Sequence, residues 1–211
     1  MSNYTQPIES PVGTLEWCFI DGDGKPDLQG KPKYQVDVVL TPEQAEPFKK
    51  IVADFWEEHK PKGAKEAKST GVYPHTVKDE EASTKAGENV YKETGKTVIR
   101  FKTGTEYVSG DKKIIKVFNS KGNEVSLHGK KIGNDSRGRA IGQIAIYDFS
   151  VAARGVTFYL NSIQLSKFVE FTGNADPSGQ INDEDGDGFE GIEDQLGAVE
   201  DESSAPSKPR L

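Results

Sequence analysis

Residues 137–171 hold two long runs in which apolar and polar positions alternate. In the first, Ile144 and Ile146 share a face with Gly142 and Asp148, while Gln143, Ala145, Tyr147 and Phe149 share the other. Period-two alternation predicts a strand with one buried face. Ser150 to Gly155 predicts a turn, and a second strand follows with Val156, Phe158 and Leu160 on one face. The apolar parity then flips to Ile163 and Leu165. A one-residue slip exchanges the faces of a strand, so the flip predicts a bulge after Leu160. Long, bulged strands are what a small closed barrel uses at its corners.

Similar alternation marks earlier strands. Leu15 to Ile20 reads as one, with Leu15, Trp17 and Phe19 on one face, and Tyr34 to Leu40 as another, with Tyr34, Val36, Val38 and Leu40 together. The Asp21–Lys25 stretch (DGDGK) between them predicts a turn. Thr41, Pro42 and Gln44 form a helix start with a capping box. Pro47 sits deep for one regular helix, so a first turn is expected, then a main helix from Pro47 to about His59. Phe48, Ile51, Val52, Phe55 and Trp56 make its buried stripe. Residues 61–96 are polar and lysine-rich and read as a long loop, whose rings are Tyr73, His75 and Tyr91. Thr97 to Lys102 (TVIRFK) is a strand with Val98, Arg100 and Lys102 on one face and Ile99 and Phe101 on the other. Tyr107 and Val108 lead into a Ser109–Asp111 turn, Lys112 to Phe118 (KKIIKVF) reads as the next strand, and Asn119 to Asn123 as a turn. Gly129 to Gly138 is a basic, glycine-rich loop. Pattern alone therefore gives a mainly β chain with one α-helix and long loops.

The 211 residues suffice for one domain, here residues 1–175, followed by a tail, 176–211. Charge sharpens that division. The tail has 11 acidic residues against 2 basic, the body 23 against 25, and Lys85–Arg139 has 13 basic against 6 acidic. An acidic tail poor in large apolar residues is expected to be disordered. Cys18 is the single cysteine, which excludes an intramolecular disulfide and fits a reducing compartment. No apolar run approaches a membrane span, and the first residues do not read as a signal peptide, so a soluble intracellular protein is expected. His59, His75 and His128 have no ligand-like spacing, and no nucleophile elbow or phosphate-binding loop occurs, so no enzyme, metal or cofactor is expected. Asp183–Asp194 (DEDGDGFEGIED) imitates a calcium loop, but Asp194 replaces the bidentate Glu at position 12 and no amphipathic helices flank it.

The glycine-rich basic approach (Gly133, Arg137, Gly138, Arg139, Gly142), the strand ending near Tyr147, the GVTFYLNSIQL strand and the acidic tail together resemble the single-stranded-DNA-binding proteins of T7-like bacteriophages. The resemblance covers roughly the last third of the chain. It implies an OB-fold-like Greek-key barrel that coats and protects single-stranded DNA in replication, recombination and repair. It also implies a tail that competes with DNA and meets replication proteins such as DNA polymerase or helicase. A homodimer, the cytoplasm of an infected bacterial host and no membrane partner belong to the same expectation. Tails of the family often end in an aromatic residue, whereas this one ends in Pro209-Arg210-Leu211.

A barrel that binds single strands needs cations for the backbone and rings for the bases. The phosphate candidates are Arg100, Lys102, Lys112, Lys113, Lys116, Lys130, Lys131, Arg137 and Arg139. The stacking candidates are Tyr91, Phe101, Tyr107 and Phe118, about half of which are expected in the core because alternation does not say which face is inward. Tyr73 and Tyr91 either lie against DNA or pin their loop to the barrel. In the tail, Phe189, Ile192 and Leu196 are the apolar groups available to a partner. The alternatives are a non-catalytic β-barrel interaction module and a calcium-regulated interaction protein that uses the tail.

Overall fold

A computed structural model of the protein describes residues 4–27, 29–172 and 197–198. Its elements run β1 (Thr5–Glu9), β2 (Gly13–Phe19), β3 (Lys25–Pro26), β4 (Pro32–Leu40), α1 (Pro42–His59), β5 (Val72–Lys78), α2 (Glu80–Ala86), β6 (Tyr91–Gly104), β7 (Lys116–Phe118), β8 (Val125–Ser126), β9 (Ser136–Ser150), β10 (Ala153–Lys167) and β11 (Gly197–Ala198).

Five strands close on themselves in the order β2-β4-β6-β10-β9 and back to β2. Every junction is antiparallel except β6 with β10, which is parallel. This is the five-stranded Greek-key barrel of the OB-fold. The inward positions are those the alternation assigns. Tyr34, Val36, Val38 and Leu40 from β4, Ile99 and Phe101 from β6, Ile144 from β9, and Phe158, Leu160, Ile163 and Leu165 from β10 are all buried. Each such aliphatic or aromatic side chain contributes roughly 1.5–3 kcal/mol by leaving water. The bulge after Leu160 is present: the β9–β10 register shifts between Leu160 and Ser162, so Ile163 and Leu165 return to the core. Gly142 is required where β9 bends, because a Cβ there would collide with the Tyr159 carbonyl oxygen.

The helix plugs one end of the barrel. Phe48 of α1 packs 5.5 Å from Phe158, which packs 5.1 Å from Phe101. The Thr41–Gln44 capping box forms, but α1 is continuous from Pro42 to His59 with Pro47 inside it. Pro47 removes one intrahelical bond, and the i−4 carbonyl its ring meets belongs to Glu43 in the first turn. Ala45, Phe48, Val52, Phe55 and Trp56 are buried, whereas Ile51 is exposed, so the stripe is narrower than the pattern suggests.

Three further expectations are corrected. The long loop of residues 61–96 contains β5 and α2, and β6 begins at Tyr91. Asp79 caps α2 by accepting from the Ala82 amide, and Gly87 ends it in the left-handed region. The KKIIKVF strand is reduced to Lys116–Phe118, paired in parallel with β10. Trp17 does not share the buried face of Leu15: the β2–β4 register shifts between Glu16 and Phe19, Trp17 adopts φ 49°, and its ring is turned outward. Gly197–Ala198 pair with Val125–Ser126 of β8. The calcium-loop imitation and the tail positions Phe189, Ile192 and Leu196 lie outside the described residues.

Candidate nucleic-acid interface

The residues of β4 and β6 that do not point inward line the outer wall of the barrel. Asp37 lies opposite Arg100, Gln35 opposite Lys102, and Lys33 opposite Gly104. A groove of about 550 Å³ crosses this wall. One rim is the turn between β3 and β4 that carries Asp27, Gln29 and Lys31, together with Lys33 at the start of β4. The other is formed by Tyr147 and Phe149 near the end of β9 and by Val156, Thr157 and Tyr159 on β10. Ser69, Gly71 and Tyr73 close its end.

The first rim is built by one carboxylate. Asp27 Oδ1 accepts from the Gln29 and Lys31 amides, both at 2.9 Å. The Lys31 amide bond is the main reason the Asp27 carboxyl titrates below the usual carboxylate range. This turn directs Lys31 and Lys33 to the groove. Lys31 and Lys102 form no salt bridge among the described residues, although Lys31 is near enough to help hold the Asp27 carboxyl ionised, so most of their charge faces the groove.

Arg100 is held differently. Its Nε and a terminal nitrogen donate to the two oxygens of Asp37 at 2.8 and 2.6 Å. The Asp37 side chain is 4% exposed, that of Arg100 40%. Those hydrogen bonds raise the Arg100 pKa further, against the opposing effect of burial. The guanidinium carbon lies 5.7 Å from the Tyr73 ring centre, a cation–π distance. Arg100 therefore fixes a ring as well as supplying charge.

Four rings line the groove: Tyr73, Tyr147, Phe149 and Tyr159. Tyr147 and Phe149 stand 5.9 Å apart. Phe149 is 85% exposed and Tyr159 43%. A phenylalanine so exposed beside tyrosines and lysines offers faces on which planar groups can stack.

Of the sequence candidates, Arg100 and Lys102 line the groove. Phe101 does not, because it points inward and is fully buried; the expectation that it stacks is corrected. Lys112, Lys113 and Lys116 line a separate cavity of about 560 Å³ at the barrel end opposite α1, with Tyr34 and the β8 region. There Lys116 pairs with Glu124 at 2.7 Å, and Lys113 lies 5.3 Å from the exposed Tyr107 ring. Lys130 pairs with Glu170 at 3.4 Å, and Arg139 with Glu9 and Gln164. Arg137 and Lys131 are exposed, Phe118 is half-buried and Tyr91 is exposed, all outside the groove lining. The basic middle of the chain is thus spread over several surfaces. The Tyr147, Phe149 and Tyr159 rings were missed as candidates, although Tyr159 alternates away from the buried Phe158 and Leu160, and Tyr147 and Phe149 lie on the face opposite Ile144.

No family model matches the sequence, and no curated protein does. Solved structures do share the fold. One is gp2.5, a single-stranded DNA binding protein encoded by bacteriophage T7, at 18% identity and TM-score 0.51 over 85% of this chain and 100% of that one. A second is the single-stranded DNA-binding protein from bacteriophage Enc34 in complex with single-stranded DNA, at 17% identity and TM-score 0.53 over 79% and 89%. A C-terminally truncated form of that Enc34 protein gives 16% identity and TM-score 0.54 over 78% and 87%. The chain has the barrel fold of these phage single-stranded-DNA-binding proteins. Among the described residues no helix is long and apolar enough to cross a membrane, and no group of His, Cys, Asp and Glu could hold a metal ion.

Proposed function

We propose that the protein binds single-stranded DNA along the outer wall of β4 and β6. One observation carries the reading: a single groove joins the cations Lys31, Lys33, Arg100 and Lys102 to the rings of Tyr73, Tyr147, Phe149 and Tyr159. OB-folds bind oligonucleotides on this wall and on the two loops that flank it. Cations follow the phosphates, and each stacked base adds roughly 1–3 kcal/mol without demanding a particular sequence. The fold shared with two phage proteins named for this activity supports the same reading. Within it, the protein coats single strands during phage DNA replication, recombination and repair in the host cytoplasm, alone or as a homodimer. The acidic tail competes with DNA and contacts replication proteins such as a polymerase or helicase. The tail's charge and the pairing of Gly197–Ala198 with β8 support its return to the body.

The test is a fluorescence-anisotropy titration of labelled oligo-dT across a salt series, with a duplex of equal length beside it. Single strands bind in preference, and log K falls with log salt by about 0.7 for each phosphate contacted. Equal affinity for duplex, or binding indifferent to salt, overturns the reading.

A further inference from the structure

The groove stops short of a second pair of rings on the same wall, the exposed Trp17 and the half-buried Phe19. Directly opposite residues of paired antiparallel strands lie on one face. Phe19 of β2 pairs with Gln35 of β4, which pairs with Lys102 of β6. Lys25 of β3 pairs with Lys33, which pairs with Gly104. Phe19 and Lys25 therefore stand in the same rows as the groove lysines Lys102 and Lys33, on its β2 side. The Lys25 ammonium lies 5.2 Å from the Trp17 ring centre and 5.6 Å from that of Phe19. Trp17 is 51% exposed.

The backbone is arranged to present this ring. Three residues of β2, from Glu16 to just before Phe19, stand against two of β4, so the strand bulges and Trp17 leaves the inward face. Its φ of 49° is costly for a bulky residue. The conformation is held from outside the strand, where the Trp17 amide donates to Asn134 Oδ1 at 3.1 Å. Without the bulge the ring would join the core; with it, a large apolar surface faces water. Strain held by a distant residue, with an exposed indole as its product, is the kind of cost found at binding sites.

We infer that Trp17, with Lys25 and Phe19, is a second stacking platform for single-stranded DNA, continuing the groove across β4. It rests on the reading of the groove as a single-strand site. From β10 to β2 is three strand spacings, roughly 15 Å. A strand laid across the wall then meets Tyr159 first, the cations of β6 and β4 next, and the Trp17 indole last.

Tryptophan itself reports the answer. The chain has two, and Trp56 is buried in α1 at 5% exposure. The full chain is titrated with labelled oligo-dT while anisotropy and tryptophan emission are read together. Emission is quenched in step with the anisotropy rise. The quench survives Trp56→Phe and disappears with Trp17→Phe, and Trp17→Ala binds roughly 5- to 150-fold more weakly, the value of one stacked base. An anisotropy rise with no Trp17-dependent quench, and parental affinity in Trp17→Ala, overturns the platform and leaves the groove reading intact. No anisotropy rise in the parent overturns both.

Discussion

At the scale of single residues, charge and exposure separate side chains that look alike in sequence. Arg100 and Lys102 occupy the same face of β6, yet only Arg100 is tied to a buried carboxylate. Arg100→Ala leaves Asp37 without its main partner, so it is expected to lower stability by about 1–3 kcal/mol as well as weaken oligo-dT binding. Lys102→Ala weakens binding while changing stability by no more than about 0.5 kcal/mol. Urea unfolding beside anisotropy separates the two; equal stability losses would show that the Asp37 pair does not hold the wall. Phe101 and Tyr159 form a second contrast, one ring fully buried and one partly exposed in the groove. Phe101→Ala should cost about 3–5 kcal/mol through the cavity it leaves. Tyr159→Ala should spare stability and reduce affinity roughly 5- to 150-fold. A Tyr159→Ala protein that binds like its parent removes that ring from the site.

Elements show where the sequence was legible and where it was not. Alternation was enough for the inward faces of β4, β6 and β10, and the parity flip after Leu160 was enough for the bulge, because strand faces depend on nearest neighbours. Trp17 was misassigned because its bulge depends on Asn134, 117 residues away. β5 and α2 were missed because few of their side chains enter the core; Asp79 and Gly87 were the readable signals of α2. The groove rings were visible as outward positions on β9 and β10, but only barrel closure brings them beside Arg100 and Lys102. Two element-scale outcomes follow. Thr41→Ala removes the α1 cap and should cost about 1 kcal/mol without changing oligo-dT affinity, since Thr41 lies outside the groove lining; an affinity loss larger than the stability loss would tie α1 to binding. The second concerns the Asp27 turn. Its carboxyl titrates low in the folded chain, so the turn's contribution is present above the unfolded Asp pKa and lost as pH falls through the lowered one. The Gln29 and Lys31 amide resonances should follow that low titration; a midpoint at or above the ordinary Asp value would mean the hydrogen bonds do not form.

For the whole molecule, the decisive feature is the separation of charge along one chain. Residues 176–211 carry 11 acidic side chains against 2 basic, while the body is close to neutral and keeps two groove lysines, Lys31 and Lys102, outside any salt bridge among the described residues. A tethered polyanion has an effective concentration of about millimolar near its own body, so under the proposed reading even weak attraction is expected to occupy cations when DNA is absent. The pairing of Gly197–Ala198 with β8 adds a geometric term, since β8 borders the cavity of Lys112, Lys113 and Lys116 and not the ring-lined groove. Competition for DNA is therefore expected to be mainly electrostatic, acting on the field of the body, with strand addition at β8 as a separate foothold. Deleting residues 177–211 should tighten oligo-dT binding at low salt, and the gain should shrink as added salt shortens the screening length from about 30 Å at 0.01 M to about 8 Å at 0.15 M. Disrupting the β8 pairing with Ser126→Pro, at a half-buried position opposite Gly197, should leave most of that gain to be made by deletion, because the charge remains tethered. If the truncated chain binds no more tightly than the whole at low salt, the tail is not a competitor. If Ser126→Pro reproduces the full effect of deletion, the tail acts from β8 by contact and not through its charge.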